Sequence, residues 1–205
     1  EREREEEEEM EEEKEIEKDR DEDKENEEES ILASWMDSAM VLEQLTEMTS
    51  IIKRLVADDF GITAVIDSEI PAHLPSLLMT IDPTLLPLVL VSLIGIVAYP
   101  PVPPISPLSL PQRLAIAAST SVSVLDTLVR IISTYDPPFK GLAADLLSLL
   151  SRRPVVVPTM IQINAMGRLM THLIGSEDAA LRQSLLRMTC CLAADPKAVQ
   201  DMYDV

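Results

Sequence analysis

The chain has 205 residues, ample for one domain with a buried core, and carries 17 basic against 36 acidic side chains, a net charge of −19. Twenty of the acidic and 6 of the basic residues lie within the first 30, a net of −14, so the remainder carries only −5. Neither part has the clustered Lys and Arg that phosphate backbones require, which excludes nucleic acid and makes a basic protein surface the better electrostatic partner.

Residues 1–30 are low-complexity, with runs Glu5–Glu9 and Glu11–Glu13 and only Met10 and Ile16 apolar. Nothing there offsets the entropy of folding, and like charges at i,i+4, such as Glu5 with Glu9, oppose a helix. The expectation is an acidic tail that serves as a solvated linker rather than as a docking arm. It also lacks the apolar core of a secretory signal. The chain begins without Met and stops at Val205 in mid-pattern, so it reads as a piece of a longer protein.

From Ile31 the pattern changes. Leu32, Trp35, Met36, Ala39, Leu42, Leu45, Met48, Ile52 and Leu55 recur at three- and four-residue steps, which predicts a long amphipathic helix. Ser30 stands where an N-cap belongs and Gly61 where a helix stop belongs, so the helix is expected over 31–60, capping the array of later helices.

Three later stretches look alike. "IPAHLPSLLMTIDPTLLPLVLVSLIGIVA" (70–98), "VLDTLVRIISTYDPPFKGLAADLLSLLSR" (124–152) and "RLMTHLIGSEDAALRQSLLRMTCCLAAD" (168–195) each read as an apolar helix, a short break with Asp, and a longer apolar helix. Asp82, Asp136 and Asp178 are spaced by 54 and 42 residues, and the excess of 12 matches the proline-rich segment 100–111 between the first two units. Without that insert both spacings are 42. A helix–turn–helix period near that length predicts a solenoid in which each unit covers its neighbour's apolar face. The repeats are placed at about 62–99, 113–153 and 158–205. Only Val155–Val157 resembles a strand, and Pro154 and Pro158 bracket it too closely for a sheet, so the class is all-α.

The unit "NAMGRLMTHLIGSEDAALRQSLLRMTCCLAADPKAVQDMYDV" resembles the armadillo repeat family: a short helix, a small-residue break, an Asp, then "LR" opening the long third helix. "VIDSEIPAHLPSLLMTIDPTLLPLVLVSLIGIVA" is similar to the same pattern. The resemblance implies a right-handed armadillo/HEAT-like superhelix over 62–205. In nuclear-import adaptors of that family the third helices carry a Trp and, four residues on, an Asn that grip basic peptides. Their positions here are Val91, Asp145 and Arg187 for Trp, and Gly95, Leu149 and Cys191 for Asn. None matches, so that ladder is not carried over. The six residues remain the candidate partner-binding surface, lining a concave groove of different specificity.

Other constellations are weaker. His73 and His172 sit in apolar runs at non-equivalent repeat positions, and His172 has no acidic residue at i±3 or i±4 to orient it, which argues against a general base. Cys190 and Cys191 are adjacent, without zinc-like partners, and are expected to pack as small hydrophobes in a reducing compartment. Asp58–Asp59 reads as a solvated helix end and not a metal site. Five glycines leave little material for a phosphate-binding loop. The uncharged helical stretch 84–99 has 16 residues, about 24 Å against a bilayer core of ~30 Å, which favours a buried helix over a membrane span. "PPVPPISPLSLP" reads as a stiff loop between repeats rather than a polyproline ligand, because the nearest basic residue, Arg113, lies just past its end.

The expectation is a non-enzymatic scaffold or adaptor of the cytoplasm or nucleus, needing no cofactor or metal and binding another protein or peptide. A specific version, implied by the resemblance alone, is a regulator of cytoskeletal or signalling assemblies. The alternatives are a regulatory repeat segment of a larger enzyme such as a kinase, and a membrane-associated helical protein.

Overall fold

A computed structural model describes residues 38–99, 121–196 and 199. The acidic tail, the Ser30 cap, the start of the first helix, the insert 100–111, the start of the second repeat at 113 and the end of the third lie outside the described residues. Among the described residues every regular element is helical and none is a strand. The chain divides into two compact units, Glu1–Leu45 and Thr46–Val205. The described residues of the first, 38–45, are helical. The second unit holds the rest of the described helices.

Residues 46–56, the second unit's part of a helical run described from 38, are labelled α1 and bury Thr49 and Ile52. The helix does not continue to Phe60 as the periodicity predicts. The chain turns at 57–58, and α2 (Asp59–Ile66) begins with Asp58 as its N-cap, the carboxylate accepting from Phe60 N at 3.2 Å and Gly61 N at 2.9 Å. Gly61 is therefore not a stop but a residue inside α2. A Cβ there would lie 2.5 Å from the Leu55 carbonyl oxygen and 2.9 Å from Leu55 Cα, so only glycine lets α2 cross this close to the end of α1. Asp58 is a helix end, as expected, but it is a start and not a finish.

Three helix–break–helix units come next in the chain. In the first, the leading segment is a single turn, α3 (Ile70–His73), continued by a 3-10 helix (Leu74–Met79) before α4 (Leu85–Ala98). Pro71 and Pro75 withdraw two backbone donors from this segment, which keeps it short of a regular α-helix. The second unit pairs α5 (Val122–Thr134) with α6 (Phe139–Ser151). The third is led by α7 (Val157–Gln162), with Pro158 in its first turn, and pairs α8 (Ala165–Gly175) with α9 (Ala179–Leu192).

The three equivalent aspartates do not act alike. Asp82 Oδ1 accepts from Thr84 N at 2.8 Å, Leu85 N at 2.7 Å and the Thr84 hydroxyl at 2.5 Å. The Thr84 hydroxyl, then the Leu85 N–H, hold its carboxyl below the ordinary 3.8. Asp178 caps α9 in the same manner, accepting from Ala180 N and Leu181 N at 2.9 and 3.2 Å. Asp136 serves through its backbone instead, its carbonyl accepting from Phe139 N at 3.1 Å. The reason is local: Pro138 lacks the N–H that Thr84 and Ala180 offer two residues after their aspartates, and the Phe139 N–H is taken by the Asp136 carbonyl. Asn164 starts α8 from the left-handed region (φ 50°), where asparagine is better tolerated than most residues, and its Oδ1 accepts from Gly167 N at 3.1 Å.

The long helices pack in succession, α4 on α6 and α6 on α9, while α5 lies against α6, the 3-10 helix and α8. Their shared core is aliphatic: Leu86, Leu90, Leu125, Leu128, Leu147 and Leu150 are fully enclosed. Each such leucine contributes about 1.5–3 kcal/mol relative to an exposed one. Ala143 and Ala144, also enclosed, let neighbouring helices approach α6 closely. No described helix is long and apolar enough to cross a membrane.

Candidate functional site

Helix α6 is the most enveloped of the long helices. Beyond its first two residues, only Gly141, Leu142, Asp145 and Leu149 are not buried, and these recur at three- and four-residue steps along one strip. Asp145 and Leu149, carried over from the family resemblance, thus lie on this strip. On α4 the equivalent strip, Leu88, Val91, Ile94 and Gly95, is half-buried and wholly apolar. On α9 Arg187 is exposed and Cys191 half-buried. The character along the three helices therefore passes from apolar on α4, through mixed on α6, to cationic on α9.

Two of these positions also engage neighbouring helices. Asp145 accepts a hydrogen bond from the Ser184 hydroxyl of α9, so its carboxylate ties the two helices together at the edge of the strip. Gly95 faces α1: a Cβ added there would run into Val56 Cγ1. Gly95 keeps part of its surface exposed, and its missing side chain is what admits Val56. Val91, Asp145, Leu149, Arg187 and Cys191 keep part of their surface open.

The cysteines also depart from expectation. Cys190 is exposed, and Cys191 is half-buried beside a cleft of about 480 Å³ between the ends of α6 and α9, lined by Arg152, Val157, Pro158 and Asp195. The helical phase explains this: Leu181, Leu185, Met188 and Leu192 carry the buried stripe of α9, and Cys190 falls opposite it.

A second cleft, of about 370 Å³, lies where the start of α6 meets the end of α8 and the start of α9. Lys140, His172, Ser176, Asp178 and Leu181 line it. Burial first, and the Lys140 ammonium second, push the His172 pKa below its ordinary 6.5. The Asp178 carboxylate is already occupied by two backbone N–H groups. The cleft therefore presents a neutral imidazole beside an ammonium, without the hydrogen-bonded acid that orients a general base. His73 lies elsewhere, exposed at the end of α3. Among the described residues no three His, Cys, Asp or Glu side chains are placed to hold a metal ion. Nothing in the periodicity signalled either cleft, because both form where turns from different units meet.

A further link between successive units is the ion pair of Arg168 on α8 with Asp126 on α5, at 2.5 Å. The two residues stand 42 apart, one period of the sequence pattern.

This helical arrangement is similar to that of two solved structures, each of an engineered protein. The first matches with a TM-score of 0.60 and 17% identity over 78% of this chain and 60% of its own. The second has a TM-score of 0.60 and 18% identity over 78% of this chain and 62% of its own. The chain thus spans about three fifths of each engineered protein, and at such identity the likeness is one of fold alone. No family model and no curated protein matches the chain.

Proposed function

We propose that the chain is an armadillo/HEAT-like solenoid segment that works as a protein-interaction scaffold, binding its partner along the strip crossing α4, α6 and α9. The observation that carries this reading is the envelopment of α6, which leaves Gly141, Leu142, Asp145 and Leu149 as its outward surface, in register with Val91 on α4 and Arg187 on α9. The succession α4–α6–α9, one long helix per sequence period, supports the solenoid reading. A partner would meet an apolar patch at Leu88, Val91 and Ile94, a carboxylate at Asp145 and a guanidinium at Arg187. Apolar anchors flanked by fixed charges are the composition of a specific protein interface.

The test is affinity capture with the full chain, beside a Leu149→Glu/Arg187→Glu variant whose helicity and melting match the parent. A partner retained by the parent and lost by the variant supports the reading. Equal capture by both sinks it, and moves attention to the clefts or to α1.

A further inference from the structure

Helix α1 buries one face against the body and leaves the other bare. Thr49 and Ile52 are buried, and Val56 sits against Gly95. On the outer side Met48, Ile51 and Leu55 are 59, 56 and 39% exposed, at positions i, i+3 and i+7 that share one stripe. Two turns of helix thus present three large aliphatic side chains to the outside, flanked by Glu47 at one end and by Lys53 and Arg54 at the other.

The charge order selects the occupant. Glu47 and Arg54 are seven residues apart, about 10 Å along the axis at ~1.5 Å per residue, too far to pair within one helix. A second α1 laid antiparallel, with the two-fold axis at Ile51, brings Met48 opposite Leu55 of the second copy and Ile51 opposite Ile51. It also sets Glu47 within about 1.5 Å of the height of Arg54 on the other helix, and the reverse pair forms by symmetry. In a parallel copy the same flank falls on opposite sides of the seam, so Glu47 and Arg54, which share one flank, would meet no charged partner. The stripe is thus self-complementary in one orientation only.

We infer that α1 is a homodimerisation helix, docking antiparallel on α1 of a second copy through Met48, Ile51 and Leu55, with reciprocal Glu47–Arg54 pairs setting the register. The stripe is smaller than the ~800 Å² per partner of a standard interface, so the association is in the micromolar range.

Sedimentation velocity on the full chain, from about 1 to 500 μM at near-physiological ionic strength, brackets that range. The parent chain is expected to shift from monomer to dimer across these concentrations, and I51E to remain monomeric with unchanged helicity. E47R alone and R54E alone each lose association by at least about tenfold. An equimolar mixture of the two regains it, because each variant supplies the charge the other lacks. A parent chain monomeric throughout overturns the inference. So does I51E that dimerises undiminished, which places the contact elsewhere. A mixture of E47R and R54E no more associated than its components overturns the antiparallel register.

Discussion

The contact of Gly95 with Val56 makes a quantitative prediction about how α1 is held to α4. Replacing Gly by Ala inside an exposed helix ordinarily stabilises by about 1 kcal/mol, because alanine loses less backbone entropy. At Gly95 the new methyl would occupy the space of Val56 Cγ1. Carbon atoms at rest stand about 3.5–4.0 Å apart, so the overlap is too deep for small adjustment. Val56 cannot swing aside cheaply either, since a helical valine has one strongly preferred χ1. Overpacking of this kind costs about 1–3 kcal/mol. Gly95→Ala should therefore be neutral to destabilising by about 2 kcal/mol, the balance of the two effects. Val56→Ala alone loses two half-buried methyls, about 1 kcal/mol. In the double variant the clash is gone and the propensity gain survives, so the changes should be non-additive by at least about 1 kcal/mol. Urea unfolding of the four proteins, followed by far-ultraviolet circular dichroism with m-values compared, closes this cycle. If Gly95→Ala alone gains the full ~1 kcal/mol and the cycle is additive within about 0.5 kcal/mol, α1 does not sit on α4 at this point.

Three further expectations are simpler. Leu147→Ala, at a fully enclosed site on α6, should cost about 2–5 kcal/mol in the same assay, whereas Leu149→Ala one half-turn away should cost far less. The Asp82 carboxyl is held below 3.8, so its contribution is present above that pH and is lost as pH falls through the lower folded value; the denaturation midpoints of the parent and Asp82→Ala should converge in that acid range and separate above it. Because the His172 pKa is depressed, protonation opposes the fold and stability declines as pH falls below 6.5. Nuclear magnetic resonance should find the imidazole titrating below that value, and Lys140→Gln should raise it only part-way, burial being the larger cause. A His172 titration unmoved by Lys140→Gln would refute the assignment of that cleft.

Much of the helical plan was legible because it is written locally. The apolar steps of 124–152 and 168–195 place α5, α6, α8 and α9 within a few residues, and Asp82 and Asp178 mark helix starts by ordinary capping chemistry. The errors have non-local causes. Gly61 reads as a stop because a glycine after an apolar run usually ends a helix. Its actual role, crossing Leu55, depends on where α2 turns back. The packing of Gly95 on Val56, 39 residues earlier, was likewise invisible in the sequence. Asp136 keeps the spacing of the other two aspartates but not their capping role, since Pro138 removes one donor and the Asp136 carbonyl takes the other. Of the candidate surface, the positions of Asp145 and Leu149 came from the resemblance to the third helix of the armadillo repeat. The tie from Ser184 to Asp145 did not, because no pattern within one helix reports what the next helix offers.

The envelopment of α6 has a consequence for motion. Amide hydrogens exchange with solvent only when their helix opens, and opening α6 requires parting from α4, α5 and α9 together. The backbone protons of Leu146, Leu147 and Leu150 should thus be among the last to exchange, at rates set by global unfolding. The turn α3 and the 3-10 helix, short and interrupted by Pro71 and Pro75, should exchange through small local openings. A molecule bound along Leu142, Asp145 and Leu149 would then rest on the slowest part of the protein. Its residence would not be shortened by breathing of the surface beneath it.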